Sequence, residues 1–365
     1  MRIAFYSPLK SPNHPVPSGD RLMARLLISA LERAGHEVQL ASELRAFIRE
    51  PTADALADLS RAAEAEKDRI AAQWRASGPP DIWFCYHLYY KAPDLIGPAL
   101  ARDFGIAYLT AEASYSDRRN SGHWTQLQDH VLDAVRLADV NICLTERDRD
   151  GLAAAAPDAR MTLLPPFLDP ALMLERQPRP EAGRLITVAM MRPGDKMLSY
   201  GMLAEALARL THLPWTLSIV GDGPQAADVC PLFSRFEPDR IVWHGEKAAE
   251  EIADLLSASS VYLWPGCGEA FGLAYLEAQA AGLPVVAQAV AGVPSVVVDD
   301  RTGLLTPPDD IDAYAQAIER LLTDADLRSR LASGARAFVA DERSIERAAV
   351  RLAEILDQYA KRIKL

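Results

Sequence analysis

Glu269 and Glu277 stand eight residues apart around a glycine-bearing turn, Pro265-Gly-Cys-Gly-Glu-Ala-Phe-Gly-Leu-Ala-Tyr-Leu-Glu277. An apolar strand, Val261–Trp264, runs into the turn, and a helix is predicted from near Phe271. The first amides of that helix, from about Phe271 to Leu273, lack an intrahelical acceptor and can bind an anion. Gly272 lets the backbone approach such an anion closely. The helical part of the separation spans under about 12 Å at 1.5 Å per residue. Two carboxylates accepting from hydroxyls on either side of a phosphate cradle match the layout of a nucleotide-sugar. On spacing alone a second reading stays open, in which Glu269 caps the helix and Glu277 is a solvated helix residue.

A second cluster, Met190-Met-Arg-Pro-Gly-Asp-Lys196, follows the predicted strand Leu185–Met190. Arg192 and Lys196 in one turn-rich loop are placed to neutralise a diphosphate, although two loop cations are commonly just solvated. Gly221-Asp-Gly-Pro224 ends a strand and reads as a turn whose backbone could line a nucleotide. Near the N-terminus, Pro17-Ser18-Gly19-Asp20 precedes the first helix. Gly19 allows close backbone approach to a ligand there, while Ser18 or Asp20 could cap the helix. His87 follows the strand Asp81–Cys85, and its functional and structural readings stand level. The loop Ser114–Trp124 holds Tyr115, Arg118, Arg119, His123 and Trp124, a mixture that suits a sugar or phosphate acceptor or an ordinary polar loop.

These residues need a scaffold, and the pattern supplies one. Apolar strands alternate with helical stretches: Ile3–Tyr6, then a helix Arg21–Ala34 stopped by Gly35, then Glu37–Ala41, then a helix Pro51–Ala76, with strands at Ala107–Thr110 and Val140–Leu144. Five prolines between Pro165 and Pro180 read as a linker. Beyond it the alternation restarts, with strands Trp215–Val220, Arg240–Trp243 and Val285–Ala289 and helices Tyr200–Leu210, Phe271–Ala281 and Ile311–Thr323. A last helix, Ser344–Leu365, has one apolar face. Such alternation implies parallel sheets covered by helices on both faces, two doubly wound α/β domains with a ligand crevice between them.

Composition narrows the function further. Across 365 residues there are 39 Lys and Arg against 50 Asp and Glu, a formal charge of −11. Up to Asp169 the chain has 19 basic and 23 acidic residues, so no basic domain hides in the total. That argues against a nucleic-acid partner and against more than peripheral contact with an anionic membrane. Cys85, Cys143, Cys230 and Cys267 are scattered without a CxxC, which fits a reducing cytoplasm and no disulfide framework. The opening MRIAFYSPLKSP has no signal-peptide apolar stretch. Ala278–Val298 carries no charge over its length, but Gly282, Pro284, Gly292 and Pro294 break it into a helix end, a strand and a turn. No clustered His, Asp or Cys offers metal-ligand spacing, and there is neither a G-x-S-x-G nor a Walker loop.

The stretch E-A-F-G-L-A-Y-L-E-A-Q-A-A-G-L-P-V-V-A closely resembles the E-x7-E signature of GT-B-fold retaining glycosyltransferases of the family 4 type. The following A-G-V-P-S-V-V and T-G-L-L-T-P-P-D-D continue the resemblance, as do A-G-H-E-V near the start and I-V-G-D-G-P at Ile219–Pro224. It covers the second domain nearly throughout and the first mainly at its N-terminal end.

The resemblance implies a GT-B architecture of two Rossmann-like domains facing each other across a cleft. Residues 1–170 would form the acceptor-side domain, completed by the helix 344–365 crossing back, and 180–343 the donor domain. Glu269 would hold donor-sugar hydroxyls and Glu277 the ribose, with the backbones of Ala270, Phe271, Gly272 and Leu273 meeting sugar and phosphates. Lys196 and Arg192 would bind the diphosphate, although the family's usual opening there is G-R-L and this chain has Ala189 or Met190 nearby. Gly221 and Gly245 would lie beside the nucleotide, and Gly19 would take the place of a glycine-rich loop. His87 would face the donor sugar; Glu112 stands where relatives carry His.

The implied activity is metal-independent, retaining hexosyl transfer from a UDP- or GDP-linked sugar, with no cofactor. The acceptor would be a hydroxyl of a sugar, a lipid-linked sugar or a small molecule, in polysaccharide or glycoconjugate synthesis. The competing readings are a GT-B nucleotide-sugar epimerase or hydrolase, and a non-catalytic sugar-nucleotide-binding protein.

Overall fold

A computed structural model describes residues 1–16 and 18–359. Pro17 and the end of the expected last helix, 360–365, lie outside the described residues. Two compact units divide the chain, one of residues 1–165 with 345–359 and one of Pro166–Ser344. The division falls at the start of the proline-rich stretch and not at residue 170. Leu168 explains this, since its amide donates to the Arg343 carbonyl at 3.0 Å and ties the stretch to the end of the second unit.

The first unit runs β1 (Arg2–Tyr6), α1 (Gly19–Arg33), β2 (Glu37–Ser42), α2 (Ala53–Ser77), β3 (Ile82–Tyr86), α3 (Gly97–Phe104), β4 (Ala107–Ala111), α4 (His123–Leu137), β5 (Val140–Cys143), α5 (Glu146–Ala155) and β6 (Met161–Leu163). Its six strands are parallel in the order β2-β1-β3-β4-β5-β6. β3 and β4 are buried along their whole length, as a sheet covered on both faces requires. Beneath them Asp94, 2% exposed, accepts from Trp83 Nε1 at 2.8 Å, Tyr108 Oη at 3.0 Å and the amides of Ile96 and Gly97. Burial raises its pKa, and hydrogen bonds from the Gly97 and Ile96 amides, the Trp83 indole and the Cys85 thiol oppose the rise.

The second unit runs α6 (Ala171–Leu174), β7 (Arg184–Val188), α7 (Asp195–Ala208), β8 (Thr216–Val220), α8 (Ala226–Leu232), β9 (Ile241–Gly245), α9 (Ala249–Ala258), β10 (Val261–Leu263), α10 (Leu273–Ala280), β11 (Val285–Gln288), β12 (Gly303–Thr306), α11 (Ile311–Thr323) and α12 (Ala325–Glu342). Its parallel order is β12-β11-β10-β7-β8-β9. The last helix, α13 (Ile345–Tyr359), returns to the first unit and packs on α1, with Arg33 paired to Glu346. Its apolar face, Ile345, Ala348, Ala349, Leu352, Ile355 and Leu356, is buried. No helix among the described residues is long and apolar enough to cross a membrane.

Strand order reverses between β1 and β3 in the first unit and between β7 and β10 in the second. In open α/β sheets ligands bind outside the carboxyl ends of the strands at such a reversal. The loops there are those after β1 and β3, which lead to Asp20 and His87, and those after β7 and β10, which lead to Lys196 and Glu269.

Candidate active site

In the second unit the reversal brings two helix starts together. Gly194, with φ 84°, is the N-cap of α7, so this helix begins five residues earlier than the expected Tyr200. Lys196 therefore sits in the first turn of a helix and not in a loop. Its ammonium pairs with Oε1 of Glu269 and lies 5.2 Å from the centre of the Trp264 ring. The same oxygen accepts from Trp264 Nε1 at 3.0 Å, while no described residue bonds to Glu269 Oε2. The Cys267 amide donates to Ser199 Oγ at 3.0 Å, which fastens the turn to α7.

The turn itself demands glycine. At Gly268, φ 68°, an added Cβ would come within 2.2 Å of the Asp195 carboxylate. Gly272, φ 80°, caps α10, which begins at Leu273 and not at Phe271. The later start lengthens the run of donors outside the helix's own hydrogen bonding. The amides of Ala270, Phe271, Gly272, Leu273 and Ala274 have no acceptor among the described residues. Together with Lys196 they form a set of anion-binding groups.

Glu277 is half-buried one turn into α10, and no described residue pairs with its carboxylate. Burial pushes its pKa up. Glu277 is thus partly withdrawn from solvent and not a fully solvated helix residue.

The other expected residues divide. Arg192 is exposed beyond β7 without a partner among the described residues. The Gly221 amide donates to the Gly245 carbonyl at 2.8 Å, and a Cβ at Gly221 would lie 2.0 Å from the Ala189 oxygen. Gly221 is thus used to let β7 and β8 end side by side, and its N–H is not free for a ligand. Gly245 has open space around its α-carbon, as does Gly19 at the start of α1.

In the first unit Ser18 caps α1, accepting from the Arg21 amide at 3.2 Å. This frees Asp20, whose Oδ1 lies 3.1 Å from His87 Nδ1. His87 and Glu112, at the ends of β3 and β4, both hold left-handed backbone, φ 59° and 54°. Strain of this kind in non-glycine residues gathers at functional sites. Glu112 is 9% exposed with Oε2 unbonded. Burial alone would lower the His87 pKa, but the carboxylates of Glu112, Asp20 and Asp148 carry it to about 9. The Glu112 carboxyl rises because of its burial, against the pull of His87.

Trp264, Ser199, Asp20 and Asp148 went unnoticed as site residues in the sequence. The signal available was the indole of Trp264 at a strand end, a lone N–H that needs an acceptor when buried. Among the described residues no group of three or more His, Cys, Asp and Glu is arranged to hold a metal ion.

Residues 183–324 match the family described as glycosyl transferases group 1. The chain is similar to the alpha-D-kanosaminyltransferase of Streptomyces kanamyceticus, 31% identical over 266 residues, covering 66% of this chain and 68% of that protein. A D-inositol 3-phosphate glycosyltransferase of Stackebrandtia nassauensis is 43% identical over 97 residues, 27% of this chain. The chain spans only 22% of that relative and 29% of its counterpart from Xylanimonas cellulosilytica. Among solved structures, sucrose-phosphate synthase from Thermosynechococcus elongatus aligns with a TM-score of 0.73 at 20% identity over 98% of both chains. Anabaena HepE in complex with UDP-glucose aligns at 0.71 and 19% identity, over 98% of this chain and all of that one. The fold follows from the structures and the membership from the kanosaminyltransferase likeness: this chain belongs to the glycosyl transferases group 1 family and is built on the GT-B fold.

Proposed function

We propose that the second unit binds a nucleoside-diphosphate sugar and that the enzyme transfers its hexose, with retention of anomeric configuration, to a hydroxyl acceptor in polysaccharide or glycoconjugate synthesis. The observation that carries this reading is the run of five unpaired amides beside Lys196, flanked by Glu269 with one oxygen free and by the unpaired Glu277. The amides and the ammonium suit a diphosphate. The carboxylates suit hydroxyls on either side of it, sugar at Glu269 and ribose at Glu277. The UDP-glucose held by the HepE structure favours testing a uridine donor first.

As the bond from the anomeric carbon to the phosphate oxygen breaks, negative charge grows on the leaving diphosphate. Donors already fixed in place stabilise that charge without reorganising. In the proposed reaction this task falls to Lys196, the amides and Arg192, with no metal. The incoming hydroxyl attacks from the side the diphosphate leaves, passing its proton to a departing phosphate oxygen.

The test is a thermal-shift screen of UDP, GDP and ADP and their hexose conjugates, since a ligand of the folded state raises the melting temperature. Turnover of the best donor is then followed by proton NMR. A new glycoside with the donor's anomeric configuration supports the proposal. An inverted product, an epimerised donor or free hexose alone overturns it.

A further inference from the structure

In the first unit a ladder of half-exposed rings leads away from the strained His87. Ring centres lie 5.3 Å apart from His87 to Tyr89, 5.4 Å from Tyr89 to Tyr90 and 5.0 Å from Tyr90 to Trp124. The Tyr90–Lys91 tip is held rigidly. Tyr89 and Ala92 exchange backbone hydrogen bonds of 3.2 and 2.8 Å, and the Ile48 amide donates to the Lys91 carbonyl at 2.8 Å. Trp124 is steadied by packing on the small cluster of Ile48, Leu56 and Leu127. The hydroxyls of Tyr89 and Tyr90 bond to no described residue and stand at the half-exposed surface.

We propose that this ladder is the saccharide acceptor platform of the enzyme, on which a pyranose ring lies against Tyr90 and Trp124 while Asp20 and Glu112 take hydroxyls at the His87 end. The proposal rests on the transferase reading above and names the acceptor it uses. A pyranose presents a face of C–H groups made slightly positive by neighbouring oxygens, which complements the negative face of an aromatic ring. Its rim of hydroxyls needs acceptors. Glu112 Oε2 is a buried oxygen without a partner, and the Asp20 carboxylate acts on both His87 and Tyr89. Lys91 Nζ stands 5.8 Å from the Tyr90 ring centre and 5.9 Å from that of Trp124. Its charge excludes a cationic group from that end. An acyclic polyol offers hydroxyls but no ring face, so it should not use the platform.

The experiment is saturation-transfer NMR on the full chain, with methyl α-glucopyranoside, maltotriose and glycerol as probes and UDP affinity measured in parallel. The two pyranosides should receive saturation on ring C–H protons and glycerol should not. Tyr90→Ala should weaken the pyranosides roughly 2- to 10-fold, the worth of one ring contact, and Tyr90→Phe should spare them. Trp124→Phe, read against melting temperature because Trp124 also packs on the cluster, should weaken them less. Absent pyranoside signals, signals equal to those of glycerol, or signals unchanged in Tyr90→Ala each overturn the platform. Unchanged UDP affinity alongside such a result leaves the donor reading standing, so the two failures are distinguishable.

Discussion

Lys196 and Glu269, 73 residues apart in the chain, pair side chain to side chain at the meeting of α7 and the turn before α10. The pair holds the ammonium at the carboxylate just before the amides that no described residue pairs, and in the proposed reading it sets a competition, because a diphosphate bound there would share Lys196 with Glu269. Removing the negative partner should therefore help the bare nucleotide and harm transfer. Glu269→Gln is expected to raise UDP affinity about two- to fivefold, since partly exposed pairs are worth up to about 1 kcal/mol. Lys196→Ala should instead lower kcat by about 10²–10³, as the loss of a donor to developing charge does. Lys196→Arg need not rescue it, because a planar fork replaces a compact charge. Isothermal titration with UDP and transfer rates at saturating donor separate the effects. A Lys196→Ala enzyme keeping more than about a third of its kcat would remove the lysine from the diphosphate.

Glu277 should trade stability for binding. Its folded pKa is raised, so the ionised form is disfavoured in the folded protein, and stability falls as pH climbs from the unfolded carboxylate value toward the folded one. At neutral pH Glu277→Gln is expected to melt higher than the wild type. The same change should weaken UDP, and Glu277→Ala should weaken it by about 1.5–3 kcal/mol, the worth of hydrogen bonds to a charged group. Melting curves and UDP titrations read both. Equal UDP affinity in the variants would make Glu277 a buried liability without a ligand.

Much of this scaffold was legible in the sequence because its central strands, β3, β4, β5, β10 and β11, are buried along their length and stand out as continuous apolar runs. β6, only three residues long, and β12, opened by a glycine, gave no such run. α12 was missed as well: its buried stripe opens with only Leu327 and Leu331, and Gly334 breaks the helical pattern before Ala335, Phe338 and Val339. Glu269, Glu277 and Lys196 could be singled out from type and spacing. Their arrangement could not, since the Gly194 cap that puts Lys196 in a helix looked like a turn. Asp20 meets His87 only because β1 and β3 are neighbours in the sheet, a fact of strand order that local patterning does not carry.

Asp94 offers a stability test in the buried core of the first unit. It satisfies two side-chain donors and two amides inside the first unit, so its loss strands four buried donors at once. Each stranded group costs about 1–3 kcal/mol, and Asp94→Ala should destabilise the unit by at least about 3 kcal/mol. Asp94→Asn keeps one acceptor but turns an NH2 toward donors, so it should rescue only part. Urea unfolding followed by tryptophan fluorescence reports the change, with Trp83 itself in the bonded group. A loss of unfolding free energy under about 0.5 kcal/mol would mean water replaces the carboxylate.

The His87 cluster should leave a pH signature of its own. A histidine raised from 6.5 to about 9 on folding contributes stability that is fully present below pH 6.5 and is lost as pH rises through about 9. The groups facing it are Glu112 beyond β4, Asp20 on α1 and Asp148 on α5, with Tyr86 and Tyr89 alongside. Glu112 is the largest of the upward influences, so Glu112→Gln should bring the imidazole midpoint down toward 6.5. Asp20→Asn should do so too, and it also removes the oxygen 3.1 Å from Nδ1. Proton–nitrogen NMR of the imidazole across pH 5 to 10 measures the midpoint directly. A wild-type midpoint near 6.5, or one that neither substitution moves, would show that the carboxylates do not hold His87 protonated. Sustained protonation would leave His87 Nε2–H as a donor across the neutral range, able to bond a substrate oxygen but unable to accept its proton.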